Sequence, residues 1–344
     1  MKRPLARSVM VLLAAPLILL VWQGAPGNVS ASGKAPSASV VAQARAQFVK
    51  VMSAHAPVVG HGGWVSPGAQ HRSSPSAANG SVTLSQSINW SGYADAESGS
   101  TTVSQVSGNW TIPAVTCLPR PYENQDAFLA NWVGIDGYSN GTVEQLGTAT
   151  QCYEGVKYYY VWYEMYPSAT VEEGTTACIN DNVDCPQPGD RISASVTVTA
   201  AGSGENNYAI TLTDHTRPDE SFSVTQQCAV TTCTDASAEW IVERPAALPP
   251  PPAPIQILPL AYFGRTFFSS GDVVSGGKLS SIQGFQDGSV NDISMIDDTD
   301  SYYLACDGQP SPPGTLLPLG QANACPTVAP FPGGAFETSW DSSF

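Results

Sequence analysis

The chain has 344 residues, of which 42% are hydrophobic and 12% charged, so it can bury a large core. Its net charge of −15 is unevenly spread, because residues 1–86 carry seven Lys or Arg and no acidic residue. The rest carries all 29 acidic residues with seven Lys or Arg, a charge of −22. This acidity excludes a nucleic-acid partner, because nucleic-acid binders present a basic face.

Residues 1–31 have the pattern of a secretory signal peptide. A basic start is followed by an apolar run at residues 9–22 and by the small residues Val29-Ser30-Ala31. The apolar run is shorter than a typical membrane span, although an uncleaved anchor is the alternative. We therefore expect a secreted, extracellular protein with no membrane segment once the signal is removed.

The segment 32–86 is interpreted as a basic propeptide and linker. Residues 40–54 have helical spacing of apolar side chains, and Pro57 ends the pattern. Gly, Ser and Pro then dominate, as in a flexible linker. The hypothesis is that this segment inhibits the acidic body intramolecularly until low pH neutralises carboxylates; a tail without a role is the alternative.

From residue 87 the sequence reads as one short strand after another, which is typical of an antiparallel sandwich or barrel. We take residues 87–300 as the main domain and residues 301–344 as a C-terminal extension with a disulfide. The clearest strands cover residues 101–113, 128–136, 157–167, 191–199, 208–212, 221–226, 238–243 and 260–268.

All eight cysteines follow residue 116, as expected in an oxidising compartment. Their spacing favours local bridges between Cys178 and Cys185 and between Cys228 and Cys233. The simplest remaining pairs join residues 117 with 152 and 306 with 325, and other connectivities stay open. The chain lacks a Cys-x-x-Cys motif and has four histidines, so we expect neither a metal nor a cofactor.

Several catalytic classes lack their essential residues. His215 is the sole histidine after residue 86 and lies in a turn-like sequence, so a serine or cysteine nucleophile would have no positioned base. The chain contains no Gly-x-Ser-x-Gly elbow, phosphate loop or His-Glu-x-x-His helix. The acidic run at residues 297–300 lacks the Asp-Thr/Ser-Gly signature of aspartic peptidases.

Carboxylates, amides and aromatic rings remain as candidates. In the strand at residues 238–243, Glu239 and Glu243 share a face, because successive side chains alternate. The strand at 157–167 places Tyr160, Trp162 and Glu164 on one face. Such a surface suits an extended ligand; an ordinary core or a solvated strand face is the alternative.

Five motifs occur in an order that resembles the glutamic peptidases, or eqolisins, over about residues 87–300. The motifs are Asn89-Trp90-Ser91-Gly92, Trp132-Val133-Gly134-Ile135-Asp136-Gly137, Gln145 before a small-residue turn, Trp162-Tyr163-Glu164-Met165-Tyr166-Pro167 and Ala238-Glu239-Trp240-Ile241-Val242-Glu243.

The resemblance implies an all-β sandwich of two antiparallel sheets, concanavalin A-like, with a concave substrate cleft. It implies an acid endopeptidase of polypeptides in which Glu243 is the general base and acid and Gln145 the oxyanion donor. One departure is Gln145-Leu146-Gly147, where the family has Gln-Thr-Gly. We expect a monomer. The cleft residues that carry over are Trp90, Trp132, Asp136, Glu164, Tyr166 and Glu239.

Two other functions remain open at this point. A glycoside hydrolase would use Glu239 and Glu243 as acid and nucleophile. Their α-carbons would be about 13 Å apart along the strand, whereas glycosidase carboxyl groups lie about 5–9.5 Å apart. A carbohydrate-binding module would use the aromatic face and would not need Gln145.

Overall fold

The structure is a computed structural model that describes most of the chain after residue 36. The described residues are 36–53, 82–87, 89–117, 126–138, 140–200, 206–230, 233–247, 256–285, 288–295, 324–326 and 333–340. The chain divides into the units Met1–Pro36 and Ser37–Phe344. The expected signal peptide lies outside the described residues, and the fold below belongs to the second unit.

The described residues are mostly β-strand. The helices are α1 (Ala38–Met52) and α2 (Thr176–Asp181), with 3₁₀ turns at Pro218–Glu220 and Ile282–Gly284. The strands are β1 (Val82–Ser87), β2 (Trp90–Glu97), β3 (Val103–Thr111), β4 (Ala127–Ile135), β5 (Val143–Tyr153), β6 (Val156–Tyr166), β7 (Val171–Glu173), β8 (Arg191–Ala200), β9 (Asn207–Asp214), β10 (Phe222–Gln227), β11 (Ser237–Glu243), β12 (Ala246–Ala247), β13 (Gln256–Ile257), β14 (Arg265–Ser275), β15 (Lys278–Ser281), β16 (Gly288–Met295), β17 (Ala324–Pro326) and β18 (Phe336–Trp340).

The strands build a sandwich of two antiparallel sheets, which confirms the expected fold. Sheet A has the order β16-β2-β11-β4-β5-β6-β7, and sheet B has the order β10-β9-β8-β3-β14-β18-β17. Hydrogen bonds between β16 and β17 join the two sheets into one continuous path. Strand β1 is added beside β16 in parallel, an exception to the antiparallel pattern.

The main core lies between the sheets and follows the period-two alternation of the strands. In β9 the side chains of Tyr208, Ile210 and Leu212 point inward, as the sequence pattern predicts. In β11 the inward residues include Trp240 and Val242. Every residue of β11 is nevertheless buried, so something also covers the outer face of sheet A.

Helix α1 provides that cover. Its apolar residues Val41, Phe48 and Met52 are buried in a second cluster with aromatic residues of the outer face of sheet A. The ring of Phe48 stacks on Tyr160 with 3.9 Å between centroids. The predicted helix is confirmed, but its contact is largely apolar, and Lys50 is exposed.

Several predicted boundaries differ from the structure. Strand β1 overlaps the end of the segment predicted as propeptide and linker, and β17 and β18 lie in the predicted C-terminal extension and pair with the sheets. The strand predicted at residues 260–268 begins at Arg265, after isolated bridges at Leu260 and Tyr262. No helix among the described residues has the length and apolar character to cross a bilayer.

The three predicted disulfides whose cysteines are described are present. They join Cys117 with Cys152, Cys178 with Cys185, and Cys228 with Cys233. The fourth predicted pair includes residue 306, which lies outside the described residues.

Candidate active site

The candidate residues of four neighbouring strands fall into rows on the outer face of sheet A. Strand register aligns Glu239, Gly134, Gln145 and Glu164 in one row. The next row holds Ile241, Trp132, Gly147 and Trp162, and the third holds Glu243, Ala130, Ala149 and Tyr160. We call this surface, which α1 covers, the outer face.

Two uncharged donors hold the carboxylate of Glu243 in place. Asn89 Nδ2 donates to Glu243 Oε1 at 3.1 Å, and Trp132 Nε1 donates to Oε2 at 2.7 Å. Trp132 is held in turn by an edge-to-face contact with Trp90 at 5.0 Å. The carboxylate is fully buried, and these contacts set its orientation.

Asn89 is a site residue whose role the sequence did not reveal, although it belongs to the first motif. Ser87 Oγ donates to Asn89 Oδ1 at 3.0 Å, which leaves the Asn89 amide nitrogen directed at Glu243. The backbone N–H of Arg244, next to Glu243, donates to the Asn89 carbonyl at 3.0 Å. The segment before β2 is therefore tied to the end of β11.

Gln145 is oriented by Glu164. Its Nε2 donates to Glu164 Oε2 at 2.8 Å, and Thr170 Oγ1 donates to Glu164 Oε1 at 3.1 Å. Gln145 Oε1 is buried and has no hydrogen-bond partner among the described residues. One amide N–H of Gln145 is thus fixed by Glu164, which sets the orientation of the amide.

Two glycines keep the space between these groups open. A Cβ at Gly134 would lie 3.1 Å from both Gln145 Cβ and Trp132 Cζ3. A Cβ at Gly147 would lie 2.1 Å from the carbonyl oxygen of Asn131 and 2.7 Å from Trp132 Cβ. Any side chain at either position would displace the tryptophan or the glutamine.

Glu243 and Gln145 lie on the same face, on opposite sides of the row that contains Trp132. From the register, two strand spacings and four residues separate them, or about 16 Å between α-carbons. Both side chains are long and point to the same side of the sheet. The two groups therefore flank the row of Ile241, Trp132 and Trp162 on one face of sheet A.

The carboxylate of Asp136, a residue expected in the cleft, links two loops by hydrogen bonds. Its carboxylate accepts six hydrogen bonds, and all the donors come from the turn after β4 and the segment before β11. The donors are Asn140 Nδ2, Thr142 Oγ1, the backbone N–H and Oγ1 of Thr234, and the backbone N–H groups of Asp235 and Ala236. This network fixes the start of β11, and hence Glu239 and Glu243.

The remaining expected residues also lie on or beside the outer face. Glu239 is fully buried, and burial, with a smaller contribution from the charge of Asp136, raises its pKa well above the ordinary value. Tyr166 is half-buried, and burial followed by the charge of Glu164 raises the pKa of its hydroxyl.

Carboxyl groups also occur on the opposite face of sheet A, in the core. Glu144, which neighbours Gln145, points inward, and burial together with the charges of Asp136 and Asp235 raises its pKa well above normal. Glu144 Oε1 lies 3.0 Å from Cys233 Sγ, a disulfide sulfur with no proton to donate. Asp95 also lies in the core, and burial raises its pKa likewise.

The carboxyl oxygens of Asp136, Glu144 and Asp235 lie close enough to one another to hold a metal ion. However, Asp136 accepts the six hydrogen bonds given above, and Asp235 accepts from Tyr208 and Asn206, each at 2.6 Å. These oxygens therefore serve to anchor the chain and are not arranged for a cation.

The chain resembles known proteins in both sequence and fold. A sequence model of the peptidase A4 family matches residues 88–308. The structure of scytalido-glutamic peptidase with a transition state analog inhibitor is similar in fold, with a TM-score of 0.50 and 20% identity over 74% of this chain and 98% of that chain.

Two further structures are more distant. SCP-B, a member of the eqolisin family in a complex with the tripeptide Ala-Ile-His, has a TM-score of 0.44 and 18% identity over 74% of this chain and 98% of its own. Aspergilloglutamic peptidase from Aspergillus niger has a TM-score of 0.34 and 21% identity over 62% of this chain and 99% of its own. No curated protein sequence matches the chain.

Proposed function

The chain belongs to the peptidase A4 family and hydrolyses peptide bonds, and from this premise we propose that it is a secreted acid endopeptidase with Glu243 and Gln145 as its catalytic pair. Family membership favours a peptidase over the glycoside hydrolase and carbohydrate-binding alternatives. The observation that carries the proposal is the pair of hydrogen bonds that fixes the Glu243 carboxylate on the face that Gln145 shares.

Glu243 acts as the general base. At acid pH a histidine is protonated and cannot accept a proton, whereas a glutamate can remain ionised. Glu243 takes a proton from a water molecule as that water attacks the scissile carbonyl, and then delivers the proton to the leaving amine. Asn89 and Trp132 support this role because their hydrogen bonds hold the carboxylate in one orientation.

Gln145 stabilises the oxyanion. Its amide does not titrate, so its N–H remains a donor at any acid pH. Glu164 holds one N–H, and the other donates to the oxygen that gains negative charge in the transition state. Loss of one such donor typically raises the barrier by about 2.7–4 kcal/mol.

An assay of two products tests the reaction class. The purified protein is incubated at about pH 4, near the ordinary pKa of a glutamate, with a denatured protein and separately with a polysaccharide. We expect release of peptides and no release of reducing sugar. Sugar release without peptide release would contradict the proposal.

Export is tested by N-terminal sequencing of protein recovered outside the producing cell, which should begin after residue 31.

The proposal includes inhibition by α1. The helix covers the outer face, and its Gln47 Nε2 donates to Asp126 at 2.6 Å while Gln151 Nε2 donates to Gln47 Oε1 at 2.7 Å. Ser53, just past the helix, accepts from the backbone N–H of Thr170 at 2.9 Å, and Thr170 holds Glu164. A peptide substrate needs the same surface, so the helix must leave before the enzyme can act.

Arg45 is the pH-sensitive part of this contact. It forms an ion pair with Glu172, and the groups facing it also include Glu220, Tyr158 and Tyr160. Protonation of the carboxylates at acid pH removes the attraction and favours release.

A matched pair of variants tests this role of Arg45. We expect Arg45→Gln in the full chain to become active at a higher pH than the wild type, and Lys50→Gln, which alters an exposed residue, to activate like the wild type. Peptide release by the unprocessed full chain equal to that of the processed enzyme, at the highest pH where the processed enzyme is active, would show that α1 does not inhibit.

A further inference from the structure

The side chain of Arg45 lies in a pocket built by the peptidase domain. Its Nη2 donates to the carbonyl of Cys178 at 2.5 Å and lies 3.3 Å from Cys178 Sγ and 3.4 Å from Cys185 Sγ. Its guanidinium carbon lies 5.1 Å from the centroid of the Tyr160 ring, a cation–π geometry. The ion pair with Glu172 completes the contacts.

The pocket is held together by contacts that do not involve α1. Glu220 Oε1 accepts from Thr175 Oγ1 at 2.8 Å, and Thr175 Oγ1 accepts from the backbone N–H of Cys178 at 3.1 Å. The disulfide between Cys178 and Cys185, seven positions apart, closes a loop that begins at the carbonyl receiving the guanidinium. The pocket therefore keeps its shape and negative charge when the helix leaves.

The pocket opens onto the same surface as the catalytic pair. Tyr160 lies in the row of Glu243, three strands away, and it lies one strand and four residues from Gln145. Both separations are about 14 Å between α-carbons, which about four residues of extended chain can span. A substrate that reaches the catalytic pair can thus also reach the pocket.

We propose that the Arg45 pocket is a subsite for an arginine or lysine side chain of the substrate, about four residues from the cleaved bond. This subsite rests on the proposed function, because it needs a processed enzyme with an open outer face. A substrate guanidinium in this pocket would contact the Cys178 carbonyl, the Glu172 carboxylate and the face of the Tyr160 ring. A lysine ammonium would pair with the same carboxylate but form fewer hydrogen bonds.

The test is a map of the bonds cut by the acid-processed wild-type enzyme in a denatured protein mixture. We expect arginine, and more weakly lysine, to be enriched at one fixed position about four residues from the cut. Cleavage with no basic enrichment at any position would overturn the subsite and leave the proposed function intact. Absence of any cleavage would overturn the proposed function and the subsite with it.

A pair of substrate peptides that differ only by Arg or Gln at the enriched position measures the preference. We expect kcat/KM for the Arg peptide to exceed that for the Gln peptide by about tenfold. In Glu172→Gln the ratio should fall towards one. In Glu173→Gln, whose side chain alternates to the other side of β7, it should stay as in the wild type. An unchanged ratio in Glu172→Gln would contradict the proposal.

Discussion

The two faces of sheet A both bury carboxyl groups but hold them in opposite ways. On the core face, burial raises the pKa of Glu144 and Asp95 well above normal, so these groups favour the neutral form. On the outer face, Glu243 and Glu164 each receive hydrogen bonds at both oxygens. Burial also raises the pKa of Glu239 on the outer face, so Glu243 and Glu164 are set apart by the donors that fix both of their oxygens.

The difference teaches that burial alone does not identify a catalytic acid. Glu144 and Gln145 are neighbours in β5, and both are buried. Gln145 faces the surface that α1 covers, where polar atoms such as Trp162 Nε1 and Tyr158 Oη are buried without hydrogen-bond partners among the described residues. The core face has such groups too, at both oxygens of Asp95 and at Oε2 of Glu144, so the donors around Glu243 are what mark the outer face as the candidate site.

The largest expected effect on turnover is that of replacing Glu243, and Glu144 on the opposite face of sheet A provides the control. Glu243→Gln should lower kcat by about a thousandfold, within the range of general acid–base catalysis, because the amide cannot accept a proton from water. Glu144→Gln, the matched control on the core face, should keep near-normal turnover. Turnover is measured as peptide release at acid pH, with circular dichroism to confirm folding. Equal losses in the two variants would erase the distinction between the faces.

Gln145→Ala should have the next largest effect. Loss of one oxyanion donor typically lowers kcat by about 10²–10³-fold, and KM should change little if the contact forms in the transition state. Gln226→Ala in sheet B, which removes an amide that donates to Tyr163, is the control and should retain activity. If KM rises while kcat holds, Gln145 binds the ground state instead.

Asn89→Leu tests the orientation of Glu243. A hydrogen bond to a charged group is worth about 1.5–3 kcal/mol, so kcat should fall by about 10- to 100-fold. KM should change little, because Asn89 contacts the carboxylate of Glu243 and not the substrate. A lower melting temperature with an unchanged kcat would assign Asn89 to structure alone.

The smallest effect is on the pH dependence of stability. Burial raises the folded-state pKa of Glu144, Glu239 and Asp95, and that of Asp235 to about 6, above the unfolded values near 4. The folded state then binds more protons, so the free energy of unfolding is highest below about pH 4 and falls as pH rises through the folded pKa values.

Urea unfolding at several pH values measures this trend. Each unit of pKa difference corresponds to about 1.4 kcal/mol, and Glu144→Gln should flatten the decline. A wild-type stability that increases from pH 4 to pH 7 would contradict the expected sign.

The strands and the shared faces could be predicted from the sequence because alternation is a local property. Glu239 and Glu243 lie on one face of sheet A, as the period of two requires. Another strand of the sheet places Tyr160, Trp162 and Glu164 on the same face. Local cysteine spacing also predicted two of the bridges. Helix α1 was predicted from the helical spacing of its apolar residues, and in the structure it ends at Met52.

Contacts between distant segments could not be predicted in this way. Asn89 meets Glu243 across 154 positions of the chain, and Arg45 meets Cys178 across 133. The family motif predicted that Asp136 lies in the substrate cleft. Its carboxylate instead accepts six hydrogen bonds from loops that only the folded chain brings together. The charge pattern suggested an electrostatic cover, and the helix has both an ion pair, between Arg45 and Glu172, and an apolar contact that the charges did not predict, between Phe48 and Tyr160.

Strand β18 has a consequence for any attempt to shorten the protein. It pairs with β14 in sheet B, and β17 links it to β16 in sheet A. A chain cut after residue 308, where the family match ends, would remove the partner of β14 at residues 265–268 and leave the backbone N–H and C=O groups of that edge uncovered. Bare strand edges of this kind recruit other chains, so the truncated enzyme would be prone to self-association and precipitation even with every catalytic residue in place.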